Sequence, residues 1–387
     1  MRIGDALLVS KISGNSDNAL YQVFGDPTMR LGFPRYQAVV TSVEPDTFKA
    51  LSVVRVKGEV QQNDEIDTDF SGTISLDTYD AIKNKLYRLI TQRNTQFDTS
   101  TVTYQNPGNL IFRGEAKINN GQFDVPFIVP KDISYNTLTG RINGYFWNSS
   151  MDGSTNKSDI PIGGSVTSTD QEGPAIRIYF DGREDFITGD MVPENPVFIG
   201  EIEDPESGVN ITGEIGHKIV LTLNDSSGID ITEQFQYDEG SYQKGKVRAA
   251  LDNLSPGDYQ ATLKVWDNAN NSSSQAVQFQ VVPDEALHFD RVMNWPNPFS
   301  KETYFTFVLN QQAEITVKIF TISGRLIQKL DGLYAEPGFN KIKWNGRDWA
   351  GDLLANGVYL YKIEAKTHNG EKTVKSNIIE RLMVLHE

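Results

Sequence analysis

After Pro34 the chain keeps to one texture. Short runs of Val, Ile, Thr, Tyr and Phe alternate with polar residues and are broken every dozen or so residues by Gly, Asn, Asp and Pro clusters. Alternation puts one face of a strand in a core and the other in water, and regularly spaced turns fold such strands into antiparallel sandwiches. The pattern is clear in "RYQAVVTSV" (35–43), "NLIFRGEAKI" (109–118), "GQFDVPFIVP" (121–130), "IRIYF" (176–180), "HKIVLTLND" (217–225) and "DYQATLKVWD" (258–267). One stretch is ambiguous: in 78–91, Tyr79, Ile82, Leu86 and Leu89 stand at helical spacing, but their surroundings favour a strand.

Two segments divide this β region. Residues 149–174 are rich in Ser, Gly, Asp and Thr and read as a linker, and 281–290 lead into Trp295-Pro296-Asn297-Pro298-Phe299, whose prolines favour an extended entry to a new unit. The expected fold class is therefore mainly β, as tandem immunoglobulin-like β-sandwiches over 37–165, 172–283 and 288–387, preceded by a short α/β segment over 1–36. In that segment Ile3, Leu7, Leu8 and Ile12 suit a helix closed by Gly14 and Asn15. Two apolar sets then flank the turn Gly25-Asp26-Pro27. One helix and two short strands cannot bury enough surface to fold alone, so they call for a sheet upstream. The apolar residues Leu7, Leu8, Val23, Phe24 and Leu31 are expected to lie partly exposed or against the first sandwich.

A chain of 387 residues has room for roughly two to four domains with real cores. Its formal charge of −15 argues against nucleic acid as a partner, because a phosphate backbone is held by surplus Lys and Arg. No apolar run approaches the ~20 residues that cross a bilayer as a helix, and Met1 is followed by a charged segment with no apolar signal region. The chain contains no cysteine, which removes disulfides, thiolate metal sites and a cysteine nucleophile.

Several motifs carry a resemblance. The order "PNPF", then "VKIFTISGRLI", then "WNGRDWAGDLLANGVYLYKI", closing on "KSNIIERLMVLHE", resembles the immunoglobulin-like C-terminal sorting domain of type IX secretion substrates, and the flagellar hook-capping protein has a similar module. The opening "GDALLVSK…NALYQVFGDPTMRLGFP" resembles the last helix and strand of the caspase-like catalytic domain of gingipain-family cysteine peptidases. Between them "DFSGTISLDTYD", "IFRGEAKINNGQFDVPFIVPKDISY", "GRINGYFW", "GPAIRIYFD" and "LDNLSPGDYQATLKVWDNANNSS" resemble the sortase branch of that family, in the expected order. The resemblance implies that residues 1–36 are a remnant of the catalytic domain and 288–387 the sorting domain. It implies a parent at the outer membrane or cell surface that processes and attaches secreted cargo, with the type IX machinery, its cargo and an upstream catalytic domain as partners. Family hydrolysis needs a Cys thiolate and a His in one pocket. With no cysteine here, the resemblance implies peptidase chemistry for the parent and none for this polypeptide.

No catalytic, cofactor-binding or metal-binding residue is assigned from the sequence, and no cofactor is expected. Of the four histidines, His217 heads a strand after Gly216 and reads as a turn residue, while His288, His368 and His386 fall at a domain entry, a hairpin and the terminus. Asp64, Glu65, Asp67 and Asp69 have a spacing that suits a hard cation but lack the full EF-hand pattern, so they read as a solvated strand end. Asp348 and Asp352 belong to a glycine-rich tight turn; Trp266 is expected in a core, with Asp267 and Asn268 making the exit turn. Asn271-Ser272-Ser273 forms a sequon of the kind chance supplies. Two other readings stay open: a surface adhesin whose sandwiches bind a partner, and the C-terminal part of an ordinary secreted endopeptidase of the same family.

Overall fold

In the computed structural model the described residues are 3–13, 25–29, 34, 36–93, 96–106, 108–134, 138–224, 226–283, 286–369 and 372–386. One α-helix, Ile3–Ser13, precedes a mainly β structure. Its start is tied to the Gly25–Met29 turn, with Ile3 N donating to Met29 O and Gly4 N to Pro27 O, both at 2.9 Å. Leu8, Val9 and Ile12 are exposed. The strands expected around 20–24 and 30–33 lie outside the described residues.

The first β module is organised around one eight-stranded sheet. Its order is Glu65–Ile66, Val53–Gln62, Tyr36–Glu44, Asp152–Ile160, Gly140–Trp147, Gly72–Tyr79 and Leu110–Ile118, with Gln122–Ile128 pairing along Val53–Gln62. The tight turn at 119–121 joins the two ends, so the sheet bends back on itself. Phe112 stacks on Phe127 at 4.8 Å, and Phe48 meets Phe127 edge-on at 5.7 Å. The hydrogen bonding thus runs through one curled sheet, plus the small pair Phe48–Ala50 and Ile162–Ser165, where two separate sandwich sheets were expected.

The Ser- and Gly-rich stretch 149–174 is mostly not a linker. Asp152–Ile160 is a central strand, antiparallel to Gly140–Trp147 on one side and parallel to Tyr36–Glu44 on the other. Small residues are needed there, since a Cβ on Gly153 would collide with the Phe146 ring and with Tyr36 O. Only 166–174 crosses as irregular chain. The ambiguous stretch 78–91 is extended, as expected: Gly72–Tyr79 ends there, and Lys83–Arg93 then pairs with Gln96–Asn106 in a separate ribbon. Leu86, Tyr87, Leu89 and Ile90 are all exposed on that ribbon, so their apolar spacing marks no buried face.

The second module is a true sandwich. A four-stranded sheet (Ala175–Phe180, Val197–Glu203, Lys244–Ala250, Phe235–Tyr237) faces a five-stranded one (Asp190–Val192, Ser272–Val281, Gly257–Trp266, Val220–Leu223, Ile229–Asp230). Phe198, Val247, Leu263, Val265 and Phe279 fill the space between them. This core is continuous with that of the first module, and Phe112 stacks on Tyr237 across the junction at 5.5 Å. The third module has its own core, built on Phe305, Phe307, Trp344, Tyr361, Ile363 and Leu382. Its sheets are Phe289–Trp295, Thr303–Leu309, Gly338–Trp344, and Leu326–Ala335, Ala313–Thr321, Gly357–Asn369, Lys372–Val384. Ser323-Gly324 makes a hairpin turn, with Gly324 at φ +88°.

A small second joint connects modules two and three. Met191 and Val282 pack against Val308, and the buried Asp190 pairs with both Arg183 and Arg291.

Candidate functional site

The histidines do not meet. His217 follows the 214–216 turn, where its N–H bonds Glu214 O at 3.0 Å. Its ring contacts the Asp132 carboxylate and packs edge-on against Trp266 at 4.7 Å. It is the expected turn histidine, and it also bridges the first two modules. The His288 backbone N–H donates to Asn310 Oδ1, His368 lies beside Thr373, and His386 Nε2 meets Leu354 O at 2.7 Å. None of the four has a hydroxyl nucleophile and an orienting acid arranged around it among the described residues, so the geometry of nucleophilic hydrolysis is not assembled here.

The acidic candidates also resolve by geometry. Asp64, Glu65 and Asp69 are exposed, and Asp67 Oδ1 merely accepts the Asp69 N–H at 3.2 Å. Asp348 Oδ1 takes the N–H groups of Ala350 and Asp352 at 3.0 and 2.9 Å, closing a turn in which Gly351 sits at φ +89°. That carboxylate is spent on backbone. Trp266 is only half-buried, contrary to expectation. Along Gly257–Trp266 the inward positions are Ala261, Leu263 and Val265, so Trp266 falls on the outer side, with Lys264 Nζ over its ring at 4.8 Å. Asp267 and Asn268 do make the exit turn.

That turn belongs to a polar cluster the sequence reading missed. Oxygens of Asp170, Asp204 and Asp267 lie within 4.8 Å of one another, and Asp204 and Asp267 are buried. The backbone dictates these placements. Asp204 Oδ1 collects the N–H groups of Glu206, Ser207 and Gly208, which fixes the loop after Val197–Glu203. Asp267 accepts the main-chain and side-chain amides of Asn271, both at 2.7 Å, and Asp170 takes the Ser207 hydroxyl. Asn271 of the sequon thus has its side-chain amide hydrogen-bonded to Asp267. Burial pushes the Asp267 carboxyl up to about 6, with the Asn271 hydrogen bonds opposing that shift and the charges of Asp204 and Asp170 adding to it. Asp204 is raised as well, first by burial, against the pull of its three backbone amides. At 4.8 Å two unit charges repel by about 3.5 kcal/mol for an effective dielectric constant near 20, and by more when closer. No sequence signal joins these residues, since they come from three loops brought together by the second module and its entry strand.

The third module carries the other feature of interest, the end of the chain. Lys372–Val384 pairs along the full length of Gly357–Asn369, and Leu382 and Val384 are 1% exposed. The Trp295–Phe299 segment covers the outer edge of its last turn of sequence. Asn297 Oδ1 accepts the Met383 N–H at 2.9 Å, its Nδ2 reaches Arg381 O, and Phe299 exchanges main-chain bonds with Met383 and Leu385. The terminal segment is therefore a built-in strand and not a free tail. Trp344 and Tyr361 are buried in the core, and Tyr359 is half-buried with its hydroxyl on Ala355 O.

A two-sheet module with this strand order and a covered terminal edge is an immunoglobulin-like module, and residues 295–369 match the FlgD Ig-like domain family. Among solved structures the chain is distantly similar to dimeric latent PorU from Porphyromonas gingivalis, at 27% identity and a TM-score of 0.42, covering 94% of this chain and 35% of that one. The chain thus spans about a third of the length of latent PorU. Escherichia coli alpha-2-macroglobulin in its native conformation aligns at 7% identity and a TM-score of 0.19, over 88% of this chain and 30% of that one. A Ca2+-stabilised adhesin of an Antarctic bacterium aligns at 12% identity and a TM-score of 0.18, over 91% and 74%. No curated protein sequence matches the chain. Among the described residues no helix is long and apolar enough to cross a membrane.

Proposed function

We propose that this chain is the non-catalytic C-terminal region of a PorU-like, gingipain-family cysteine peptidase of the type IX secretion pathway. In this reading 1–36 is the end of the catalytic domain, 37–165 is a module built on one curled sheet, 172–283 is a β-sandwich, and 288–387 is the sorting domain. The parent acts at the outer membrane or cell surface, removing sorting domains from cargo and attaching cargo there. Its partners are the secretion machinery, the cargo and the upstream catalytic domain. The observation that carries the reading is the immunoglobulin-like terminal module, whose motifs from Pro296 to Ile363 fall in a segment that matches the FlgD Ig-like family. The lack of any cysteine supports a supporting role for this part of the protein. Two measurements test it. A reporter fused to residues 286–387 is expected at the surface of a type IX-secreting host, and its retention in the periplasm would refute the assignment. The purified chain is expected to cleave no peptide or sorting-domain substrate, and cleavage abolished by a point change within it would overturn the non-catalytic reading.

A further inference from the structure

Three carboxylates with no counter-charge converge where the first two modules join. Asp170 lies in the connecting stretch 166–174, Asp204 follows Val197–Glu203, and Asp267 follows Gly257–Trp266. Asp204 and Asp267 are 3% and 0% exposed. Among the described residues no Lys, Arg or His forms an ion pair with any of the three. Among the described residues, the donors that reach them are neutral amides and a hydroxyl. Such donors orient a carboxylate but do not cancel its charge.

A second observation comes from Asn268, which follows Asp267 directly and is 2% exposed. Its Nδ2 donates to Ser207 O at 2.8 Å, which ties it to the same loop that binds Asp204 and Asp170 and fixes the orientation of its amide. The oxygen left over, Oδ1, is buried and accepts no hydrogen bond. A buried acceptor without a donor is costly unless something else takes its lone pair.

We infer that Asp170, Asp204, Asp267 and Asn268 Oδ1 form a binding site for one hard divalent cation of the calcium type. All four ligands are oxygens, which selects hard cations over zinc or copper. An irregular set of carboxylates and an amide oxygen suits calcium, whose coordination is flexible, better than magnesium, which demands a near-ideal octahedron and keeps its waters. The ion would draw the 166–174 connection, through Asp170, onto the loops of the second module and so brace the junction. This inference does not depend on the proposed function.

The test uses the full chain, stripped with a chelator and titrated calorimetrically with calcium chloride. One calcium per chain is expected, with a rise of several degrees in melting temperature and slower proteolysis within 166–174. Asp170→Asn, the least buried of the three, should weaken binding at least tenfold while leaving the far-UV spectrum intact. Asp267→Asn should do the same or more. Asp64→Asn, in the exposed acidic turn, should change nothing. Absence of heat and of any melting shift up to about 10 mM calcium, tenfold beyond the weak end of extracellular calcium modules, would overturn the proposal. So would binding by Asp170→Asn as tight as that of the unaltered chain, or a preference for magnesium.

Discussion

Replacing Leu382 by Ala should separate the structural role of the terminal strand from any role as an address. Leu382 is 1% exposed, sits opposite Tyr359 and belongs to the core of the third module. Emptying such a site costs about 2–5 kcal/mol, the spread depending on how far the surroundings collapse. Deleting 376–387 is far harsher. It removes nine residue pairs with Gly357–Asn369 and both buried apolar side chains, Leu382 and Val384. Burial of those two alone is worth about 3–6 kcal/mol, and the lost strand hydrogen bonds add roughly 0.5–1.5 kcal/mol each. That total matches the whole stability of a small domain, about 5–15 kcal/mol. The assay is hydrogen exchange read by mass spectrometry on the intact chain. Leu382→Ala should speed exchange in Gly357–Asn369 by about 30-fold to several thousand-fold, each tenfold corresponding to 1.4 kcal/mol. Strands of the first two modules, which have a separate core, should exchange as before. The truncated chain should lose protection throughout the third module. Unchanged protection of Gly357–Asn369 in the truncated chain would refute the reasoning, because the segment would then be an appendage. Export assays on truncations need this control, since a module that has unfolded cannot report on its address.

Asn297→Ala removes the acceptor for Met383 N–H and the donor to Arg381 O, and should destabilise the third module by about 1–2 kcal/mol; Asn297→Asp, which keeps the acceptor, should recover part of that loss in the same exchange experiment. Gly153→Ala sets a methyl group against the Phe146 ring and Tyr36 O, and overpacking of this kind costs about 1–3 kcal/mol, visible as a lower first melting transition. Glu364 lies between Lys318 and Lys362, whose hydrogen bonds hold its carboxyl below the usual range. A depressed folded value means that the stabilisation is present above the unfolded value and is lost as pH falls through the folded one. With partners this exposed it amounts to at most about 1 kcal/mol, so Glu364→Gln should lower urea stability slightly at pH 7 and not at pH 3.

Much of the architecture was legible because it depends on local periodicity. The alternation in Ala313–Thr321 specifies which side chains enter the core, and the Gly324 turn and the burial of Trp344 and Tyr361 follow from the same short-range rules. The stretch 149–174 misled because its Ser, Gly and Asp content suits a linker, yet a strand paired on both sides and lying beneath Phe146 needs small residues. Trp266 misled by its size. Hydrophobicity favours a core, but strand parity placed Val265 inside and Trp266 outside. The acidic residues show the division most clearly. Asp64, Glu65, Asp67 and Asp69 are close in sequence, yet Asp64, Glu65 and Asp69 point into water and Asp67 is half-buried. Asp170, Asp204 and Asp267 stand in three separate loops, and only the packing of the two sheets brings their oxygens within 4.8 Å. The sequence alone determined the strands and turns whose alternation and turn residues are local, because backbone preference and side-chain alternation act over a few residues. Tertiary structure alone decided which charges meet, because electrostatic proximity depends on chain crossings that no local pattern encodes.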